Sequence, residues 1–162
     1  MRPRPLTILL VEDSAADAGL MRAALAETRG PVRLSVVADG VEALLFLRRA
    51  GDYAAAPWPD LVITDLNMPR LTGHDLLRIM KGDPALRRLP VLLLTTSNAP
   101  DDITTAYELQ ANACLTKPAD FDLFHAMMES VTHFWGVTVQ VVPPPDPAPV
   151  AHDQPPGRPR PH

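Results

Sequence analysis

Leu6-Thr7-Ile8-Leu9-Leu10-Val11-Glu12-Asp13-Ser14-Ala15-Ala16-Asp17 decides the reading of this chain. The run from Leu6 to Val11 leaves no polar face for water, the mark of a strand covered on both sides. Two acids follow at once. Ser14-Ala15-Ala16-Asp17 then has the form of a capping box, with Ala18, Met21 and Leu25 behind it at helical spacing. The stretch is therefore a strand, an acidic turn and a helix.

Working outward, the same alternation repeats. Further apolar runs lie at Leu61 to Ile63 and Val91 to Leu94, with shorter ones at Val32 to Val37 and Ala113 to Leu115. Thr72-Gly73-His74-Asp75 repeats the capping pattern before Leu76, Leu77 and Met80, and Val41, Leu44, Leu45 and Arg48 fit a helix after Gly40. A fourth helix is expected near Asp101 to Leu109. The last begins near Asp120, carries Phe124, Met127, Met128, Val131 and Phe134 or Trp135, and ends at Gly136. Five strand-helix units in strict alternation predict an α/β fold, a five-stranded parallel sheet with helices on both faces, because right-handed crossovers lay each helix over the sheet.

The composition breaks near the end. Of 19 prolines, nine fall between Pro143 and His162, in a stretch with little apolar bulk and few amide donors. The domain is expected over residues 5–136 and an extended or disordered proline-rich tail over 137–162. Val137 to Val142 alternates as an edge strand does, and reads equally well as an ordered lead into the tail.

Composition excludes several classes. Hydrophobic residues at 46% and charged residues at 21% suit an ordinary folded domain. Fifteen basic residues against 19 acidic ones, scattered without a block, leave no nucleic-acid footprint. Glu12 interrupts the first apolar run too early for a signal peptide, and no stretch is long enough to span a bilayer. The lone Cys114 can form no internal disulfide, which fits a cytoplasmic setting.

In parallel sheets of this kind the binding crevice lies beyond the carboxyl ends of the strands. The residues there form a coherent set: Glu12-Asp13, Thr64-Asp65, Thr95-Thr96-Ser97 and Thr116-Lys117-Pro118. Three carboxylates at one edge repel one another unless a cation intervenes, and hard oxygen donors suit Mg2+. Lys117 and Thr95 would offer charge and a hydrogen bond to a transferring phosphoryl group, with Asp65 as the nucleophile. Taken singly each piece has a plain alternative: Glu12-Asp13 as a helix-starting turn, Asp65 as the opening of a loop, Lys117 as a surface lysine.

Ile8 to Ser14, Leu61 to Pro69, Pro90 to Thr95 and Thr116-Lys117-Pro118 together resemble the receiver domain of two-component response regulators, from about Leu6 to Trp135. The resemblance implies the flavodoxin-like (βα)5 fold with strand order 2-1-3-4-5. It implies that Glu12, Asp13, Asp65 and the backbone carbonyl of Asn67 hold Mg2+, and that Asp65 accepts a phosphoryl group from a sensor histidine kinase. Thr95 and Lys117 would bind that group, a cis Lys117-Pro118 peptide is implied, and Asn67 and Ser97 stand where receivers tune hydrolysis. Cys114 departs from the pattern, standing where receivers commonly carry an aromatic residue.

Within receivers, Leu94-Thr95-Thr96-Ser97, the insert around Gly51 to Pro59 and His133-Phe134-Trp135 are similar to small regulators partnered with phytochrome-type kinases. A bacteriophytochrome is then the implied partner. With only the proline-rich stretch after Trp135, no output domain is expected there, and the expectation is a phosphoacceptor protein rather than an enzyme, signalling through protein contacts. The apolar excess on the last helix points to a homodimer through helices four and five and strand five. Rival readings are a kinase-docking adaptor that needs no phosphorylation, and an aspartate-based phosphatase, which would need a second aspartate where Asn67 stands. His74, His125 and His133 are expected at solvated helix positions without a role, and Cys114 as a small buried hydrophobe.

Overall fold

The computed structural model describes residues 4–145. Five strands, β1 (Leu6–Val11), β2 (Val32–Val37), β3 (Leu61–Asp65), β4 (Val91–Thr95) and β5 (Ala113–Thr116), alternate with five helices. These are α1 (Ala15–Ala26), α2 (Gly40–Leu47), α3 (Gly73–Gly82), α4 (Pro100–Glu108) and α5 (Phe121–His133). The strands form one parallel sheet in the order β2-β1-β3-β4-β5, as expected.

Side chains alternate across a strand, so each central strand feeds two cores. Leu9, Val11, Val62, Val91 and Leu93 face α2, α3 and α4, meeting Ala43, Phe46, Leu76, Leu77 and Met80. Ile8, Leu10, Ile63, Leu92 and Leu94 face α1 and α5, meeting Met21, Leu25, Phe124, Met128 and Val131. Central strands buried on both sides set the acids that follow them at the rim of the core, Glu12 still buried and Asp13 exposed.

The helix expected after Gly40 is present as α2. The stripe Val41-Leu44-Leu45-Arg48 is not the buried face: Val41 and Leu45 are exposed, while Ala43, Phe46 and Leu47 are buried. A helix that is apolar nearly all round carries no phase of its own. Here phase is set from outside, because Gly40 sits so close to Leu71 that a Cβ would lie 2.7 Å from Leu71 Cδ2.

Among the described residues, the chain after α5 makes no sixth strand. It continues as a π-helical turn, Phe134–Thr138, in which the Val139 N–H donates to the Phe134 carbonyl (3.0 Å), and residues 139–145 form no regular element. The backbone donor an edge strand would need closes the turn instead. The remainder of the proline-rich tail, residues 146–162, lies outside the described residues. Among those described, no helix is long and apolar enough to cross a membrane.

Candidate functional site

Each acid of the site is placed by the end of its strand. The Glu12 N–H continues the β1 ladder to Val37 O (3.0 Å), and its side chain, held by its own hydrogen bonds, is 3% exposed. Glu12 Oε1 accepts the Ser14 N–H (3.1 Å) and Oε2 accepts from Lys117 Nζ (3.1 Å). Asp13 is exposed beside it. Asp65 closes β3: its Oδ1 accepts the Leu66 N–H (2.7 Å), and its Oδ2 lies 3.5 Å from Lys117 Nζ. One carboxylate oxygen from each of Glu12, Asp13 and Asp65 lies within 4.8 Å of the others.

The β3–α3 loop is held from two sides. Gly73 starts α3 directly against Asp65, where a Cβ would stand 2.3 Å from the Asp65 carbonyl oxygen, and its N–H donates to Leu66 O (2.8 Å). Further along, Arg70, in the left-handed region at φ 65°, pairs with the carboxylate of Asp39, which caps α2. Neither Arg70 nor Asp39 stood out in the sequence, since both read as loop residues.

Thr95 ends β4 one register step beyond the Leu94–Asp65 pair. It is fully buried, its hydroxyl accepts the Ser97 N–H (3.0 Å), and its carbonyl accepts the Lys117 N–H (2.8 Å). The Ser97 hydroxyl donates to Asp102 Oδ2 (2.8 Å), and Asn67 is exposed two residues after Asp65. The Lys117-Pro118 peptide is trans, against the expectation of cis, and no cis peptide occurs among the described residues. Trans is the lower-energy isomer before proline by about 0.5–1 kcal/mol, and the Lys117 N–H bond to Thr95 is made with it in place.

Lys117 has a partner the sequence did not reveal. Its ammonium, on a side chain 13% exposed, lies 3.3 Å from Asp17 Oδ2 as well as near Glu12 and Asp65. Burial penalises the charge, but the hydrogen bond to Glu12 and the surrounding acids outweigh it, so the lysine's pKa rises. Glu12 does not mirror this. Burial pushes its carboxyl above the usual range, the Ser14 and Lys117 contacts offset only part of that, and Asp65 adds to the rise. One ammonium among four acids does not neutralise the pocket, and a carboxylate this buried gains from a second cation. The donor set, three clustered hard oxygens, fits Mg2+.

Beside Lys117 a cavity of about 420 Å3 opens between α1 and α5, walled by Leu20, Met21, Phe121 and Phe124. The histidines correct expectation in part. His133 is exposed, but His74 is half-buried with Nε2 3.1 Å from the Asp102 carbonyl, and His125 is half-buried with Nε2 3.9 Å from Glu27 Oε2 and no hydrogen bond. Cys114 is half-buried against the α2–α4 core, where burial raises its thiol pKa, and its N–H donates to the Tyr107 hydroxyl (3.3 Å).

Known proteins are similar to this chain in sequence and fold. Response regulator Rcp1 of Synechocystis sp. (strain ATCC 27184 / PCC 6803 / Kazusa) is 39% identical over 135 residues, covering 83% of this chain and 92% of Rcp1. The phosphorylated cyanobacterial phytochrome response regulator RcpA matches with TM-score 0.80 and 39% identity, over 85% of this chain and 99% of that one. The Mn(2+)-bound form of Rcp1 matches with TM-score 0.79 and 38% identity, over 86% and 100%. Residues 8–129 match the family described as response regulator receiver domain, and with five strand-helix units and an acidic crevice in the corresponding order, the chain belongs to that family.

Proposed function

We propose that Asp65 is the phosphoacceptor of a phosphorelay fed by a sensor histidine kinase, and that Glu12, Asp13, Asp65 and the Asn67 carbonyl hold Mg2+. The observation that carries this is the convergence of three carboxylates within 4.8 Å with Lys117 Nζ bonded among them. In the transfer, an Asp65 oxygen forms a bond to phosphorus as the bond to the kinase histidine nitrogen breaks, and the imidazole keeps that electron pair. Bound Mg2+ supplies positive charge for the phosphoryl oxygens.

The chain's own residues do the rest. The Leu66 N–H fixes one Asp65 oxygen and so the rotamer of the nucleophile. Lys117 offers the phosphoryl group a partner already desolvated by burial. Thr95 would turn its hydroxyl from the Ser97 N–H to a phosphoryl oxygen. Asn67, where an aspartate-based phosphatase needs its second acid, argues against that enzyme class.

The kinase is proposed to be a phytochrome-type kinase, supported by likeness to RcpA, itself described as a cyanobacterial phytochrome response regulator. Signal would leave through a homodimer over α4, β5 and α5, supported by exposed Tyr107 on α4 and exposed Phe121 and Leu123 on α5. Light scattering that finds only monomer at high micromolar concentration, with and without a phosphoryl mimic, would remove the dimer. A cytoplasmic setting accords with the single cysteine.

The central test is intact-mass spectrometry after incubation with Mg2+ and acetyl phosphate. One phosphoryl adduct on wild type, absent with chelator and absent in Asp65→Asn, is the expected result. No adduct on folded, Mg2+-loaded wild type would turn the reading to a docking adaptor.

A further inference from the structure

Asp17 sits in the first turn of α1, in the place of the acid of a capping box, yet its carboxylate does not serve the cap. Ser14 Oγ accepts the Asp17 N–H (3.2 Å), but the reciprocal bond is missing: the Ser14 N–H goes to Glu12 Oε1 (3.1 Å). The Asp17 carboxylate instead meets Lys117 Nζ at 3.3 Å, nearer than Asp65 does at 3.5 Å. It differs from the other two acids in exposure, since its side chain is 45% exposed against 3% for Glu12 and 14% for Asp65.

We infer that Asp17 is a positioning residue for Lys117: at 3.3 Å it competes for the ammonium with Glu12 (3.1 Å) and Asp65 (3.5 Å), and so keeps those two carboxylates available to a divalent cation. An ammonium has three donors and no preferred direction among acceptors, so its place is set by the balance of carboxylates around it. Without Asp17 the two buried acids hold it alone, and a cation must displace it from both. Because Asp17 reaches water, it can release Lys117 cheaply when a phosphoryl group arrives. The inference rests on Mg2+ binding at Glu12, Asp13 and Asp65, but not on Asp65 being the phosphoacceptor.

The experiment is calorimetric titration of the full chain with Mg2+ alone, on wild type, Asp17→Asn, Lys117→Gln and the double variant, with thermal melts to verify folding. Asp17→Asn is expected to weaken Mg2+ binding by about two- to fivefold, the size of a partly exposed ion pair. In the Lys117→Gln background the same change should have no effect, because a double-mutant cycle isolates the coupling. Asp17→Glu, which keeps the charge, should bind Mg2+ like wild type, and this comparison stands even if Lys117→Gln fails to fold. In the acetyl phosphate reaction Asp17→Asn should raise the Mg2+ concentration needed for half-maximal adduct formation by the same factor as it weakens Mg2+ binding.

An equal loss in both backgrounds would overturn the inference in favour of a general charge effect. A loss beyond about fiftyfold would overturn it by making Asp17 a metal ligand, and no loss, or no rescue by glutamate, would also sink it. Wild type that binds Mg2+ but forms no adduct would instead count against the phosphoacceptor reading and leave the titrations to decide on Asp17.

Discussion

The N-termini of α1 and α3 begin with the same device and use it differently. At α3 the capping box is complete: Thr72 Oγ1 accepts the Asp75 N–H (3.1 Å), and Asp75 Oδ2 accepts the Thr72 N–H (3.2 Å). At α1 Ser14 does its half, while Asp17 turns to Lys117, and Glu12, from the end of the preceding strand, takes the orphan N–H. One start is closed on itself and serves the fold; the other is opened and joined to the site. A locally broken rule that is compensated from the end of the preceding strand is the pattern expected of functional sites, and it falls here beside the candidate site.

The widest separation between the two ends should come from the cation. Mg2+ at about a hundred times its Kd raises unfolding free energy by about 2.7 kcal/mol if it binds the native state alone. Denaturant melts should show that gain in wild type and in Asp75→Asn, and should lose most of it in Asp13→Asn. A gain of equal size in Asp13→Asn would break the assignment of the α1 end to the site.

Gly73→Ala comes next. Its Cβ would stand 2.3 Å from the Asp65 carbonyl, backbone that cannot give way like a side-chain tip. We expect a loss of roughly 1–3 kcal/mol in urea unfolding, the range of overpacked sites. An alanine variant as stable as wild type would show that α3 can retreat from β3.

The caps themselves should differ by function rather than by stability. Thr72→Ala and Ser14→Ala should each cost about 1 kcal/mol, as N-cap deletions do. Asp75→Ala should also cost stability and leave Mg2+ binding alone, whereas Asp17→Ala should change melting little and shift Mg2+ binding. Reversal of that pair would dissolve the contrast.

The smallest effect is a difference in sign with pH, read by chelator-treated melts between about pH 2 and 6. The Thr72 hydroxyl, followed by the Thr72 N–H and Arg78, holds the Asp75 carboxyl below its ordinary value. Its contribution is therefore present above the unfolded value of about 3.9 and lost as pH falls through the lower folded one. Burial raises Glu12 instead, so its contribution is present below about 4.3 and lost as pH climbs towards the raised folded value. Asp75→Asn should remove a rise in stability with pH, and Glu12→Gln should remove a fall.

Much of the site was legible because strand ends are legible. Glu12, Asp13, Asp65 and Lys117 each directly follow or close an apolar strand, and a parallel sheet brings such ends to one edge whatever lies between them. Asp17 was not legible, since Ser14-Ala15-Ala16-Asp17 and Thr72-Gly73-His74-Asp75 are the same local pattern. Only Lys117, a hundred residues downstream, separates them. The Arg70–Asp39 pair was hidden for a similar reason, as two loop residues 31 positions apart.

The sequence by itself determined five strand-helix units, the parallel sheet and the acids at its edge, because the periods of apolar residues are local properties of the chain. Tertiary structure alone decided which face of α2 is buried, that Val139 closes a turn rather than pairing with the sheet, and which of two identical capping patterns gives its acid to the site. These are choices among locally equivalent states, and their energies differ only through neighbours that folding brings from far along the chain.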